Sequence, residues 1–203
     1  MVSGRGSNMQ AIIEGCRAGS IPAEVVVVVS DVASAPALER ARSFGVEGVF
    51  VDPNRFAGRR EFDRAVLRAL EERRVDLVLL AGFMRILGPE FVRAFRGRMM
   101  NIHPSLLPAF PGLEAQRQAL EYGVKYSGCT VHFVDEGVDT GPIILQAVVP
   151  VSEDDTAETL AERILAEEHR IYPEAVRLYA EGRLAVEGRR VRVLAGSGGR
   201  RSD

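Results

Sequence analysis

The stretch AEVVVVVS at residues 23–30 contains five consecutive valines, Val25 to Val29, and ends in the polar pair Ser30-Asp31. A short apolar run bounded in this way is typical of a strand that is buried on both faces in a parallel sheet. Around it, helical patterns alternate with strand patterns. Helices are predicted at 8–19, 35–44 and 60–74, and further strands at 46–51 and 75–81. This alternation predicts an α/β fold, in which helices cover both faces of a mostly parallel, twisted sheet.

The second half of the sequence predicts a more mixed arrangement. A helical stretch at 90–95 precedes a short strand at 99–103, which Pro104 ends. Two further strands are predicted at 130–134 and 143–149. Because only a short loop joins these two strands, we expect them to be antiparallel.

A long helix and a hairpin are predicted towards the carboxyl-terminal end. Asp155 and Glu158 have capping-box spacing ahead of the helix, and Pro173 is expected to kink or divide it. The hairpin is predicted at 184–194, and residues 195–203 are expected to form a flexible tail. Since no linker composition interrupts the sequence, residues 1–194 are predicted to form one domain.

The composition argues against several classes of protein. The 203 residues carry a formal net charge of −2 and are 46% hydrophobic and 27% charged, so the sequence gives no electrostatic footprint for nucleic acid or a membrane surface. Cys16 and Cys129 form no CxxC pair, and a reducing cytoplasm therefore fits best. The three histidines lack HExxH spacing, so we expect no metal site.

A glycine loop, SGRGSN at residues 3–8, stands where a strand is expected to lead into the first helix. The backbone N–H groups of such a loop and the N-terminus of the helix suit a phosphate group. The dinucleotide fingerprint GxGxxG is incomplete, because its sixth position is Met9. A tight turn with an N-cap at Ser7 is an equally good interpretation.

The second candidate is NIHPS at residues 101–105. On an extended chain Asn101 and His103 project to the same face, while Ile102 points to the other. Pro104 keeps His103 out of the helical region and ends the strand. An amide and an imidazole thus converge at the carboxyl end of a strand, where open α/β sheets bind ligands. The alternative is a structural histidine at a strand end.

An acidic turn, DEGVDTGP at residues 135–142, separates the last two strands of the predicted sheet. Any one of Asp135, Glu136 and Asp139 within reach of His103 would orient the imidazole and favour its charged form. The composition does not choose among the three, and a solvated loop is the simpler interpretation.

Three lesser features have both a structural and a functional interpretation. The segment GFMRIL at residues 82–87 either lines a pocket for a flat ligand or packs a loop. Residues 167–170 on the late helix are predicted to be a solvated face. His132 alternates with apolar neighbours and is predicted to be structural rather than catalytic.

Taken together, these motifs resemble the phosphoribosylglycinamide formyltransferase family, the folate-dependent transformylases of purine synthesis. The resemblance runs from Ser3 to about Leu184. It is strongest in AGFMRIL at residues 81–87, NIHPSLLP at 101–108, and the stretch 128–145 that contains Asp139-Thr140-Gly141-Pro142. The resemblance implies a Rossmann-like formyltransferase fold.

The resemblance also implies roles for individual residues. The catalytic positions are Asn101, His103 and Asp139. The ribonucleotide phosphate and substrate would be bound by Gly4, Arg5, Gly6, Ser7, Asn8 and Glu168. The co-substrate 10-formyltetrahydrofolate would be bound by Arg59, Met84, Arg85, Ile86, Leu87, Asp135, Glu136, Gly137 and Val138. The implied partners are small molecules, with no nucleic acid, membrane or metal, and the chain is expected to be a monomer or homodimer.

The implied chemistry accounts for these residue types. When the substrate amine attacks the formyl carbon, the carbonyl oxygen becomes an oxyanion, and protonated His103 with the Asn101 amide would stabilise it. Asp139 would favour the imidazolium and, through a water, help to move a proton from the amine to the leaving folate nitrogen. No serine or cysteine nucleophile is required.

Two stretches fit the resemblance less well. The strand before a glycine loop is usually central in a sheet of this kind, yet only Met1 and Val2 precede Ser3. We expect the rest of that strand to lie upstream of Met1, or another part of this chain to replace it. Between Gly112 and Arg117, where relatives can carry histidine, the chain has Glu114 and Gln116, so no role is predicted there.

Three alternatives remain open. Methionyl-tRNA formyltransferase shares the Asn-x-His-Pro-Ser core, but the sequence has too little positive charge to predict an RNA-binding domain. A formyltetrahydrofolate hydrolase is also related. A non-catalytic nucleotide-binding module would use the glycine loop alone, and it would leave the combination of Asn101, His103 and Asp139 unexplained.

Overall fold

Helices and strands alternate through the first half of the chain, as the valine run and its surroundings predict. The computed structural model describes residues 1–196. The α-helices and strands up to His103 are α1 Ser7–Arg17, β1 Val27–Ser30, α2 Pro36–Ser43, β2 Glu47–Phe50, α3 Arg59–Glu71, β3 Val78–Leu80, α4 Pro89–Ala94 and β4 Met99–His103, with a 3₁₀ helix at Pro53–Arg55 between β2 and α3.

The second half adds two more helices and four strands. They are α5 Ala115–Tyr122, β5 Tyr126–Phe133, β6 Ile143–Pro150, α6 Ala157–Ala180, β7 Leu184–Glu187 and β8 Arg190–Val193. The hairpin predicted at 184–194 is confirmed as β7 and β8. Helix α5 was not predicted, because it buries only Ala115 and Ala119 and so carries little apolar pattern. Of the predicted tail, residues 197–203 lie outside the described part of the chain.

The strands form a two-stranded sheet, β1-β2, and a six-stranded sheet in the order β3-β4-β5-β6-β8-β7. The pairs β1–β2 and β3–β4 are parallel, whereas β5 is antiparallel to both β4 and β6, as expected from the short loop between β5 and β6. Residues Met1 to Ser3 lie between β1 and β3 and join the two sheets. The predicted α/β class, with a parallel part and helices on both faces, is confirmed.

Two buried clusters cover the two faces of this assembly. One contains Ile13 of α1 and Leu160, Ile164 and Tyr172 of α6. The other lies on the side of α3 and α4 and contains Phe62, Val66 and Phe91. Helices thus cover both faces, and open α/β sheets of this kind bind ligands at the ends of their strands.

The late helix differs from its prediction at two points. Its N-cap is Thr156, which forms a capping box with Thr159, while Asp155 pairs with Arg163 at 2.7 Å. Pro173 does not divide the helix, since α6 runs unbroken through it over 24 residues. Eight residues along α6 are buried, and the packing of this helix against α1 and the sheet offsets the hydrogen bond that a proline removes.

Tyr172 connects α6 to the sheet, and its removal tests this packing. Its side chain is fully buried, and its hydroxyl lies 3.0 Å from the carbonyl oxygen of Leu80 and 3.1 Å from that of Met100. We expect Tyr172→Phe to lose about 1 kcal/mol of unfolding free energy and to lower the Tm by about 2–4 °C. Thermal denaturation measures the change. The control is Tyr126→Phe, at a side chain that is 65% exposed, and an equal shift in both variants would contradict the prediction.

Candidate active site

Strand β4 presents Asn101 and His103 to the same side, as the alternation of an extended chain requires. Both side chains contact the carboxylate of Asp139, which lies in the loop between β5 and β6. Ile102 points the other way and is buried in the core. His103 is itself 4% exposed, so its ring is shielded from water. The three residues of the predicted constellation are therefore brought together.

Both nitrogens of the His103 ring face oxygen acceptors. Nε2 lies 2.8 Å from the carbonyl oxygen of Phe110, and Nδ1 lies 3.4 Å from Oδ2 of Asp139. A neutral imidazole has one N–H, so it can donate to only one of these two acceptors. Both acceptors receive a hydrogen bond only when both ring nitrogens carry a proton.

Asp139 is held in a backbone conformation that few non-glycine residues adopt, with a φ of 54°. Its Oδ2 accepts the N–H of Gly112 at 2.8 Å, and its Oδ1 accepts from the Asn101 amide at 3.4 Å. Burial raises the pKa of Asp139, but hydrogen bonding and the charges of His132 and His103 lower it by more, so the pKa lies below its usual value. The carboxylate is therefore ionised throughout the neutral range.

His132 belongs to this cluster, although the sequence predicted only a structural role for it. It lies directly opposite Asn101 in the antiparallel pair β4–β5, and its Nε2 is 3.2 Å from the Asn101 amide nitrogen and 3.6 Å from Oδ1 of Asp139. Its Nδ1 faces the carbonyl oxygen of Phe133 at 2.9 Å. Nε2 thus faces both the Asn101 amide and the Asp139 carboxylate. Knowledge of how β4 pairs with β5 would have predicted that His132 lies beside Asn101.

The structure distinguishes among the three carboxylates of the acidic turn. Asp135 accepts from Thr140 at 2.6 Å and from the N–H of Gly137 at 3.1 Å, so it orders the turn. Glu136 is exposed and pairs with Arg93 at 3.4 Å. Val138 is 50% exposed. Only Asp139 reaches His103.

The glycine loop turns into α1 through Gly6, whose φ of 74° is left-handed. Gly6 and not Ser7 is the N-cap, so the predicted cap at Ser7 is wrong: the helix begins at Ser7, and no side chain caps it. A Cβ at Gly6 would lie 2.6 Å from the Cβ of Ala37, which leaves room for glycine only. The N–H groups of the first turn therefore stay available for a ligand.

Asn8 and Glu168 form a buried polar pair beside this loop. The Asn8 amide donates to Oε2 of Glu168 at 2.7 Å, and both residues are 8% exposed. Burial raises the pKa of Glu168, and the bond from Asn8 offsets only part of this effect. Oδ1 of Asn8 has no hydrogen-bond partner within the described chain. The predicted solvated face is thus wrong at Glu168, although Glu167 and Arg170 do form an exposed ion pair.

The segment at residues 82–87 is attached to the glycine loop by Ser3. The Ser3 hydroxyl accepts the N–H of Met84 at 2.9 Å and donates to Oδ1 of Asp31 at 2.6 Å. Arg85 lies 3.8 Å from Oδ2 of the same Asp31. Met1 to Ser3 and β3 run in parallel, so the loops that follow them emerge at one edge of the sheet.

The side chains of this segment have different surroundings. Met84 and Ile86 are 67% and 63% exposed, which is suitable for covering a flat ligand. Leu87 is buried with Phe62 in the core. At the far end, the N–H of Gly88 donates to Oδ2 of the buried Asp63 at 2.7 Å. Arg59, the first residue of α3, adds a positive charge near Asp63.

None of the helices within residues 1–196 combines the length and apolar character needed to cross a bilayer.

The predicted site residues form three groups: Asn101 and His103 with Asp139, the glycine loop with Glu168, and the segment 82–87 attached through Ser3. Arg5 is exposed and has no close partner among the described residues.

Comparison with known proteins identifies relatives that match most of this chain. Residues 1–176 match the family described as "Formyl transferase". The trifunctional purine biosynthetic protein adenosine-3 of Drosophila melanogaster is 50% identical over 184 residues, which are 90% of this chain and 14% of that protein. This chain thus spans only a small part of that relative's length.

Two shorter relatives match over most of their length. The phosphoribosylglycinamide formyltransferase of Escherichia coli strain K12 is 46% identical over 184 residues, which are 91% of this chain and 87% of that enzyme. The crystal structure of glycinamide ribonucleotide transformylase 1 from Symbiobacterium toebii has a TM-score of 0.94 at 63% identity and covers 96% of this chain and 92% of that one. These matches show that the chain belongs to the formyl transferase family.

Proposed function

We propose that this protein transfers the formyl group of 10-formyltetrahydrofolate to the amino group of glycinamide ribonucleotide, a step of de novo purine biosynthesis. The observation that carries the proposal is the His103 ring, whose two nitrogens face the Asp139 carboxylate and the Phe110 carbonyl oxygen. A buried imidazolium next to a fixed amide is what a developing oxyanion requires. The reducing cytoplasm is the location that we expect.

In the proposed reaction the amine nitrogen attacks the formyl carbon, and the carbonyl electrons move to oxygen. Collapse of this tetrahedral intermediate breaks the bond between the carbon and the folate N10. The amine loses one proton and N10 gains one, so the products are the formylated ribonucleotide and tetrahydrofolate. Asp139, through a water, would carry that proton, because its lowered pKa keeps it ionised and able to accept.

Asn101 would supply the second contact to the oxyanion. Its amide nitrogen lies 3.2 Å from His132 and 3.4 Å from Asp139. The 3.4 Å hydrogen bond is the weaker of the two, because it exceeds the usual range for N–H donors. A ligand oxygen would therefore replace Asp139, while His132 keeps the amide oriented.

Access to His103 depends on the loop that contains Phe110. Because the Phe110 carbonyl oxygen accepts from Nε2, a formyl oxygen can bind that nitrogen only when the loop moves. Gly112 and Asp139 share a hydrogen bond, so the same movement would release one oxygen of the carboxylate for water.

No cysteine contributes to this mechanism. Burial is the main reason why the pKa of Cys129 rises to about 12, and the charge of Glu168 adds to the shift. The thiol is therefore protonated at neutral pH and is a poor nucleophile. This supports direct attack by the amine.

The two ligands would bind on either side of this cluster. The loop Gly4–Asn8 and Glu168 suit the ribonucleotide, since the first turn of α1 offers free N–H groups and Glu168 is a buried acceptor. Arg59, residues 84–87 and the turn 135–138 suit the folate, because Met84 and Ile86 provide exposed apolar surface beside positive charge.

One assay tests the function against its alternatives. Deformylation of 10-formyltetrahydrofolate is followed by absorbance with and without glycinamide ribonucleotide. Turnover only with the amine supports the transferase. Turnover without it would indicate a hydrolase, and binding without turnover would indicate a nucleotide-binding module.

The first prediction concerns the oxyanion contacts. We expect His103→Ala and Asn101→Ala each to lower kcat by about a hundredfold or more, which is the usual loss for an oxyanion donor. Asn54→Ala, at an exposed asparagine, is the control and should keep the parental kcat. Thermal denaturation checks folding. A His103 variant with more than about a tenth of the parental kcat would remove this residue from the mechanism.

The second prediction concerns the charge on Asp139. Because the pKa of Asp139 lies below its usual value, protonation of this carboxylate would set an acidic limb of the activity profile. In Asp139→Asn no carboxylate titrates there and the proton acceptor is lost, so we expect a lower kcat and a profile whose acidic limb is shifted or absent. Asp154→Asn, at an exposed carboxylate, should leave the profile unchanged. An unaltered profile for Asp139→Asn would contradict the assignment.

The third prediction separates the two pockets. Glu168→Gln keeps the shape of the side chain but removes the charge, so it should raise the KM for the ribonucleotide several-fold and leave the folate Kd unchanged. Ile86→Ser should do the reverse. The control is Glu167→Gln, on the exposed side of the same helix. Equal effects of Glu168→Gln and Ile86→Ser on both ligands would show that the pockets are wrongly assigned.

A further inference from the structure

Ser3 is the first residue of the glycine loop, and it is bonded to two other parts of the chain. Its N–H donates to the carbonyl of Gly82 at 2.9 Å. Its hydroxyl accepts the N–H of Met84 at 2.9 Å and donates to Oδ1 of Asp31 at 2.6 Å. Ser3 is half-buried, so these bonds are partly shielded from water. The proposed reaction gives this junction no role.

The orientation of the Ser3 hydroxyl is set by Asp31. A serine hydroxyl has one proton and two lone pairs. Because the proton is donated to the carboxylate, the lone pairs are left for the N–H of Met84. The bond of 2.6 Å to an anion is charge-assisted, and such bonds are about twice as strong as neutral ones. Asp31 therefore fixes the hydroxyl in the rotamer that the N–H of Met84 requires.

Asp31 also reaches the next residue of the segment 82–87. Its Oδ2 lies 3.8 Å from Nη1 of Arg85, and only 7% of its side chain is exposed. The guanidinium of Arg85 lies 5.1 Å from the centre of the buried Phe62 ring. Two links therefore run from Ser3 and Asp31 to this segment, one to the backbone of Met84 and one to the side chain of Arg85.

The chain that follows Ser3 is held by fewer contacts. Gly4 and Arg5 are exposed, and a Cβ at Gly4 would have no neighbour within 4 Å. The carbonyl of Gly4 accepts the N–H of Ala37 at 3.2 Å. Glycine has the largest backbone freedom, so a loop of this composition has conformational entropy to lose when a ligand binds. A ligand that orders this loop also restricts the movement of Ser3.

The two regions that meet at Ser3 are those suited to the two proposed substrates. The glycine loop suits the phosphate of the ribonucleotide, whereas Met84 and Arg85 belong to the segment that suits the folate. A ligand that orders one region restricts Ser3 and, through its bonds, the other region. The second ligand then has less conformational freedom to remove. Such coupling is reciprocal, because each ligand raises the affinity of the other by the same factor.

We propose that Ser3 and Asp31 couple the two substrate sites, so that each substrate strengthens the binding of the other. This inference rests on the proposed function, since it takes glycinamide ribonucleotide and the folate as the two ligands. Ser3 and Asp31 act through the glycine loop, Met84 and Arg85, and they are positioning residues. The coupling favours the complex that holds both substrates, in which the formyl group is transferred to the amine.

The experiment measures the Kd of tetrahydrofolate by calorimetry, with and without saturating glycinamide ribonucleotide. Tetrahydrofolate carries no formyl group, so both ligands bind without turnover. We expect the ribonucleotide to lower this Kd by about fivefold or more in the parental protein, and by less than about twofold in Ser3→Ala. Asp31→Asn keeps an acceptor for the hydroxyl but removes the charge, so its ratio of the two Kd values should be intermediate.

The matched control is Ser34→Ala, at an exposed serine between β1 and α2, which should keep the parental ratio. Hydrogen exchange gives a second measurement. The ribonucleotide alone should slow exchange of the Met84 amide in the parental protein and in Ser34→Ala, but not in Ser3→Ala. Thermal denaturation checks that each variant is folded. If Ser3→Ala is unfolded, Asp31→Asn decides, and a parental ratio in that variant would contradict the coupling.

Two results would overturn the proposal while leaving the proposed function intact. One is a ratio of one in a parental protein that binds both ligands. The other is an unchanged ratio in a folded Ser3→Ala, even if both Kd values rise, because a purely structural role weakens the binding of tetrahydrofolate without changing its dependence on the ribonucleotide. If the parental protein binds neither ligand, the proposed function is wrong and the coupling with it.

Discussion

The carboxylate of Asp139 is the contact on which the proposed catalytic cluster depends. It accepts from the backbone of the loop at Gly112, lies against His103 of β4, and contacts the Asn101 amide that is oriented by His132 of β5. Two strands and two loops are thereby held in one geometry. The left-handed backbone at Asp139 is strained for a non-glycine residue, and such strain is found where the surroundings determine the conformation. A single carboxylate therefore arranges the side chains of both strands in the cluster.

Much of the fold was predictable because burial imposes a period on the sequence. The valine run, the alternation of helices with strands, and the hairpin around Gly188 all have local signals, and all are found. Helix α5 was missed because it buries only two alanines. Pro173 does not divide α6, because packing of this helix outweighs the local preference of proline.

In the candidate site, too, the features with a local sequence pattern were predictable and the long-range contacts were not. Asn101 and His103 were predictable together, since two residues on one strand face the same way whatever the strand pairs with. The place of His132 required the register of β4 with β5, and the choice of Asp139 over Asp135 and Glu136 required the shape of a turn. Glu168 lies in a charged run, and such a run predicts a solvated side chain. The run gives no sign of its buried partner, Asn8, which lies 160 positions away. Long-range pairs of this kind leave no local pattern.

The segment that carries Met84 and Ile86 has a consequence for the entropy of binding. Ser3 holds one end through the N–H of Met84, and Asp63 holds the other through the N–H of Gly88. Met84 and Ile86 thus lie on a backbone segment that is held at both ends before a ligand binds. Ordering a loose loop on binding would cost about 1–2 kcal/mol for each residue. A segment anchored in this way avoids most of that loss, so more of the contact energy of a flat ligand is available as affinity.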